Sequence, residues 1–131
     1  MTQDNRLSQL QFDIMRVLWR MKEATVTDVH DALRSDRGLA PTTIATVLSR
    51  LEKRGLLAHR SLGRQFVYQP MVTEAEVRSS MVLDLTELLF EGDVTELVNH
   101  LLSRRDFSAE DISRVKSMIE AHEKGEGDPT E

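Results

Sequence analysis

Six side chains in the stretch APTTIATVLSRLEKRGLL (40–57) carry either a short hydroxyl or a cation: Thr42, Thr43, Thr46, Ser49, Arg50 and Lys53. With Ile44 set at zero and each residue advancing about 100°, Ile44, Val47, Leu48 and Leu51 lie within roughly 60° of one another's mean and face a core. Thr42, Thr46, Ser49 and Lys53 then fall between roughly 140° and 200°, with Thr43 and Arg50 on one flank. Small hydroxyl residues let a helix approach base edges closely, and threonine adds a methyl that suits the thymine methyl. Residues near the start of such a helix reach bases, while cations further along meet phosphates. A merely solvated helix could look alike here, because threonine is common near helix starts. Arg60 and Arg64 shift the balance, since they flank the turn SLGR beside the same helix, where phosphate contacts are expected.

Charge supports that location. The chain has 131 residues and a formal net charge of −5. Met1 to Pro70 carries 11 Lys/Arg against 7 Asp/Glu, whereas Met71 to Glu131 carries 6 against 15. Between Arg34 and Phe66 seven basic residues face only Asp36 and Glu52. Local charge decides where a polyanion docks, so the total is the less informative figure.

Other chemistries find little support. His30, His59, His100 and His122 have no metal-ligand spacing, and there is no cysteine. No metal or cofactor is therefore expected, and no disulfide framework exists. No glycine-rich phosphate loop, nucleophile elbow or HExxH motif occurs, so a non-enzymatic role is expected. The start MTQDNRLSQL lacks an apolar signal core, and no stretch has the apolar length of a membrane span. The expectation is a soluble, cytoplasmic protein without membrane insertion.

The elements that must position these residues are legible in order. Ser8 with Gln11 forms a capping box that opens a first helix. Leu10, Ile14, Val17, Leu18 and Met21 form one apolar stripe on it, and Phe12, Met15 and Trp19 form a second on the opposite side. Such a helix is sandwiched in a core or shared with another element. ATVT (24–27) reads as a short edge strand ending at a Thr27 cap, followed by a helix with Val29, Ala32 and Leu33. Pro41 suits the first position of the third helix, and Gly55 its left-handed end. Leu56 to Gln69 reads as a hairpin with Gly63 in its turn, closed by Pro70. The expected fold is mainly α with a small β-hairpin: a winged helix-turn-helix over 1–70.

Acidic helices follow over 71–124, starting at Thr73 with Glu76, Asp93 with Glu96, and Ser108 with Asp111. Their apolar residues include Leu85, Leu88, Leu89, Leu97, Val98, Leu101, Leu102, Ile112, Val115 and Ile119. Three short amphipathic helices cannot close a core alone, so these faces are expected to meet a second copy in an isologous dimer. The tail, residues 125–131, has nothing to bury and is expected to be disordered.

The ordered set LSQLQFDIMRVLW, TVTDVHDAL, APTTIATVLSRLEKRGLL, HRSLGRQFVYQP, LTELLFEGDVTELVNHLL and DFSAEDISRVKSMIE resembles the penicillinase-repressor family of bacterial transcription regulators, which includes the β-lactamase and methicillin-resistance repressors. The resemblance spans about Leu7 to Glu123. It implies a homodimer on a near-palindromic double-stranded operator, repressing transcription and often its own gene. Recognition-helix contacts would fall on Thr42, Thr43, Thr46 and Arg50, and wing contacts on Arg60 and Arg64. Many relatives carry Lys at the position of Thr42 and Arg at that of Ala45, a departure that bears on the operator sequence rather than on DNA binding.

The resemblance also implies ways of relieving repression. Antibiotic-responsive relatives are cut at an Asn-Phe bond in the dimer helices once a membrane sensor protease is activated. The corresponding region here is Asn99, His100 and Leu101, without an Asn-Phe pair. Copper-responsive relatives use C-terminal cysteines, which this chain lacks. A different class of role, a winged-helix protein-interaction module that never touches nucleic acid, would show an apolar patch on the third helix or the wing. Leu62 at the hairpin tip is the residue that hints at one.

Overall fold

Local hydrogen bonds set the helix starts in the computed structural model, which describes residues 6–35, 38–104 and 106–125. Ser8 Oγ accepts from the Gln11 amide at 3.2 Å and the Gln11 side chain accepts from the Ser8 amide at 3.0 Å, which opens α1 (Gln9–Met21). Helix α2 (Val26–Leu33) begins the same way at Thr25, whose hydroxyl accepts from the Asp28 amide at 3.1 Å while Asp28 accepts from the Thr25 amide at 3.0 Å. This corrects the expected strand over ATVT and the expected cap at Thr27. The Thr25–Asp28 box starts the helix two residues sooner, because it satisfies two amides reciprocally. What remains of the strand is one bridge, in which Ala24 exchanges backbone bonds with Tyr68 at 3.0 and 2.8 Å.

Helix α3 (Pro41–Lys53) starts at Ala40 with no side-chain cap and with Pro41 in its first turn. It ends at Gly55, whose φ of 84° a side chain would resist. Strands β1 (Leu57–Leu62) and β2 (Gln65–Pro70) pair antiparallel from Leu57 with Pro70 to Leu62 with Gln65. The two-residue turn places Gly63 at φ 64°, the positive value that a tight hairpin needs at its first central residue.

Ile14, Leu18, Val29, Ile44, Leu48, Leu51 and Leu56 are fully buried where these elements meet. The second apolar side of α1 is used as well. Met15 is buried, Phe12 and Trp19 meet edge to face at 5.7 Å, and Trp19 Nε1 donates to the Val72 carbonyl at 2.9 Å. The chain after the wing thus belongs to the same core. Thr73 and Glu76 cap α4 (Glu74–Phe90), and its Val77 is fully buried. The first compact unit accordingly runs to Leu85, past the boundary expected at Pro70.

The second unit begins at Thr86. Glu91 at φ 53° and Gly92 at φ 83° reverse the chain after α4, with the Gly92 amide donating to the Thr86 carbonyl at 3.1 Å. Asp93 caps α5 (Val94–Leu102), and a Ser108–Asp111 box caps α6 (Ala109–Glu123). Neither α5 nor α6 has a buried residue. Of the expected tail, residues 125–131, Gly125 is described, its amide donating to the His122 carbonyl at 3.0 Å, and 126–131 lie outside the described residues. No helix among the described residues is long and apolar enough to cross a membrane.

Candidate nucleic-acid interface

Helix α3 divides as its periodicity requires. Ile44, Leu48 and Leu51 are buried and Val47 is half-buried, while Thr42, Thr43, Thr46, Ser49, Arg50 and Lys53 are all exposed. Because the cap position is Ala40, Thr42 and Thr43 are not spent on capping the helix. Thr46 Oγ1 donates back to the Thr42 carbonyl at 3.0 Å. That bond uses the hydroxyl hydrogen and leaves the oxygen's lone pairs to accept from an N–H donor such as an adenine or cytosine amino group.

The basic window is sorted by its partners. Arg54 reaches the Arg6 carbonyl at 2.7 Å and Gln11 at 3.5 Å, so it ties the end of α3 to the start of α1. Arg34 pairs with Asp31 at 2.7 Å. Arg60 lies against Glu23 in a two-pronged pair, at 3.0 and 3.3 Å. Arg37 lies outside the described residues. Among the described residues Arg50, Lys53 and Arg64 have no ion pair within the chain, which leaves three cations for an external anion. Two of them are on α3 and one is on the wing.

The wing arginines therefore differ. Arg64 lines a cleft of about 410 Å³ together with Ala45 and Ser49 of α3, so it shares a surface with the helix. Thr25, Val26 and Thr27 at the start of α2 and Gln65, Phe66 and Tyr68 of β2 complete that cleft. Sequence reasoning missed these residues and Glu23. The Thr25–Asp28 capping spacing was a signal for the first group. Nothing local marks Glu23, which is 37 residues from Arg60.

The wing is also braced to α3. His59 Nδ1 meets the Glu52 carboxylate at 2.7 and 2.8 Å, and its ring stacks on Phe66 at 4.0 Å. Burial raises the Tyr68 phenol's pKa above its ordinary value, and the Glu52 charge adds to the rise, so Tyr68 stays a neutral donor. Among the described residues no three His, Cys, Asp or Glu side chains gather as a metal site would require.

The expected dimer residues of α4, α5 and α6 are mostly on the surface. Leu88 and Leu89 are 62% and 63% exposed, and Leu85, Val98, Leu101, Leu102 and Ile119 are exposed as well. Leu97, Ile112 and Val115 are half-buried. Asn99, His100 and Leu101 lie exposed on α5.

A helix-turn-helix of α2 and α3 followed by an antiparallel hairpin defines a winged helix-turn-helix protein. The penicillinase repressor family model matches residues 7–121, and the chain belongs to that family. The penicillinase repressor of Bacillus licheniformis is 30% identical over 120 residues, covering 89% of this chain and 91% of that protein. The transcriptional regulator BlaI of Mycobacterium tuberculosis is 31% identical over 124 residues, covering 93% and 88%. The solution structure of the DNA-binding domain of the repressor BlaI superposes with a TM-score of 0.51 at 33% identity, over 58% of this chain and 93% of that one.

Proposed function

We propose that the chain is a transcriptional repressor that reads double-stranded operator DNA with α3 and its wing, as a homodimer on a near-palindromic site. One observation carries the reading: Arg50, Lys53 and Arg64, free of ion pairs among the described residues, share a surface with the exposed hydroxyls of α3. Thr42, Thr43, Thr46 and Ser49 face base edges; Arg50, Lys53 and Arg64 meet phosphates. Arg60 contributes once it leaves Glu23. Membership of a family of repressors supports the role, and binding rather than catalysis is the activity it requires.

The exposed leucines and valines of α4 and α5, with Ile119 of α6, support the dimer, since so many large aliphatic side chains are costly to leave in water. The chain acts in the cytoplasm, where its DNA is, and represses its own gene. Its release operates by cleavage near Asn99–Leu101 by a membrane sensor protease; an intact chain after incubation with the activated protease would end that part of the proposal.

Fluorescence anisotropy tests the core reading, using DNA from upstream of the chain's own gene and scrambled DNA of equal length at several salt concentrations. A preference of at least about a thousandfold is expected. If a dimer neutralises about 6 to 8 phosphates, the log–log slope with salt lies near −5 to −7. Salt-independent binding would overturn the reading.

A further inference from the structure

The cleft between α3 and the wing is more than a by-product of docking two elements. Its volume of about 410 Å³ lies in the range of small-molecule sites. Val26, Ala45 and the Phe66 ring supply apolar wall, and Ser49 and Arg64 stand among the lining residues. Arg64 has no anion within the chain among the described residues. Tyr68 also lines the cleft, is only 4% exposed, and makes ring contacts with His59 and Phe66. Its phenol has no hydrogen bond among the described residues. A buried phenol ordinarily has a partner, so one in a cleft wall without a protein partner is available to a ligand acceptor. The nearby Glu52 carboxylate is held by His59 and does not line the cleft, so it does not close the site to an anion.

We propose that this cleft binds a small aromatic carboxylate bearing a second polar group, and that the bound acid weakens the grip on DNA. Its carboxylate pairs with Arg64, where a guanidinium takes two oxygens at once. Its ring lies among Val26, Ala45 and Phe66, and its polar group accepts from the Tyr68 hydroxyl. Occupancy takes Arg64 away from phosphate and covers Ser49 on the recognition face. The binding site stands on the cleft alone, whereas the effect on DNA rests on the proposed repressor function.

The test is calorimetric titration of the full chain with 4-hydroxybenzoate, with benzyl alcohol as the uncharged comparison. A ligand of this size is expected to bind one per chain with a Kd on the order of 0.1 to 1 mM. Arg64→Gln should weaken it about tenfold and Tyr68→Phe several-fold, the latter keeping the ring in the core. Ala45→Leu, which fills the cleft from a half-buried position, should abolish binding. Saturating acid should raise the anisotropy Kd for upstream DNA about tenfold in the wild type and leave it unchanged in Ala45→Leu. No saturable binding, or equal affinity in Tyr68→Phe and Ala45→Leu, overturns the site. Specific binding with no change in DNA affinity overturns the coupling. Failure to bind DNA without any acid present counts against the repressor reading, and the calorimetric result still decides the site.

Discussion

The two units of this chain solve the problem of apolar surface in opposite ways. Between residues 6 and 85 the chain closes a core to which both sides of α1 contribute, and the buried aliphatic side chains among the described residues, from Leu7 to Val77, lie there. The face of α3 that this unit leaves outside is polar and cationic, while Leu62 and Phe66 of the wing and Val82, Leu83 and Leu85 of α4 are exposed as well. From Thr86 onward the balance reverses, and Leu88, Leu89, Val94, Leu101 and Leu102 are exposed while Thr86 is the buried residue among those described. A region that finishes its own core can use its surface for recognition. A region that exposes its aliphatic side chains is finished only by another molecule, which here is proposed to be a second copy.

The comparison breaks most visibly if the second unit is made unable to pair. Val98→Glu with Leu101→Glu places two charges on the exposed face of α5, and sedimentation is expected to give a monomer whose first unit remains folded. Operator affinity should fall at least about a hundredfold, because two half-sites are no longer held together. A dimer of unchanged mass would show that this face is not the interface. Leu48→Ala attacks the other side of the comparison, since Leu48 is fully enclosed. It is expected to lower unfolding free energy by about 2–5 kcal/mol in a urea titration while the dimer persists.

A smaller effect separates the wing arginines. Arg64→Ala should weaken DNA binding about tenfold and reduce the salt slope by about one per chain, as expected for a lost phosphate contact. Arg60→Ala should cost less than about threefold, because Glu23 already neutralises it. Equal losses would mean that the Glu23 pair opens at no cost on DNA. The smallest effect concerns α6. Hydrogen bonds from the Ser108 backbone and hydroxyl, followed by Arg114, hold the Asp111 carboxyl below its ordinary pKa. A depressed folded pKa stabilises above the ordinary carboxyl range and is lost as pH falls through the folded value. Helicity by circular dichroism should therefore drop slightly below about pH 4, and Asp111→Asn should remove that pH dependence.

Much of the site was legible in the sequence. The face of α3 follows from periodicity, and three of the capping boxes are spacings of three residues that close their own hydrogen bonds. Where reading by type failed, a stronger local bond had been overlooked: β-branched residues at 24–27 suggested a strand, and the Thr25–Asp28 box made a helix of most of it. The position of the unit boundary was less accessible, because Pro70 ends the wing in sequence while Trp19 binds Val72 and Val77 fills the core beyond it.

The sequence by itself determined where helices begin, which side of α3 is apolar, and that the last helices carry more aliphatic surface than they can hide. These are consequences of bonds and periodicities spanning three or four residues. Only the tertiary structure decided which cations are free. Arg60 and Glu23 are 37 residues apart, Arg54 and Arg6 are 48 apart, and no local rule brings either pair together. Charge counted along the chain gives seven basic residues between Arg34 and Phe66. Ion pairs depend on distances across the fold, and those distances leave Arg50, Lys53 and Arg64 without a partner among the described residues.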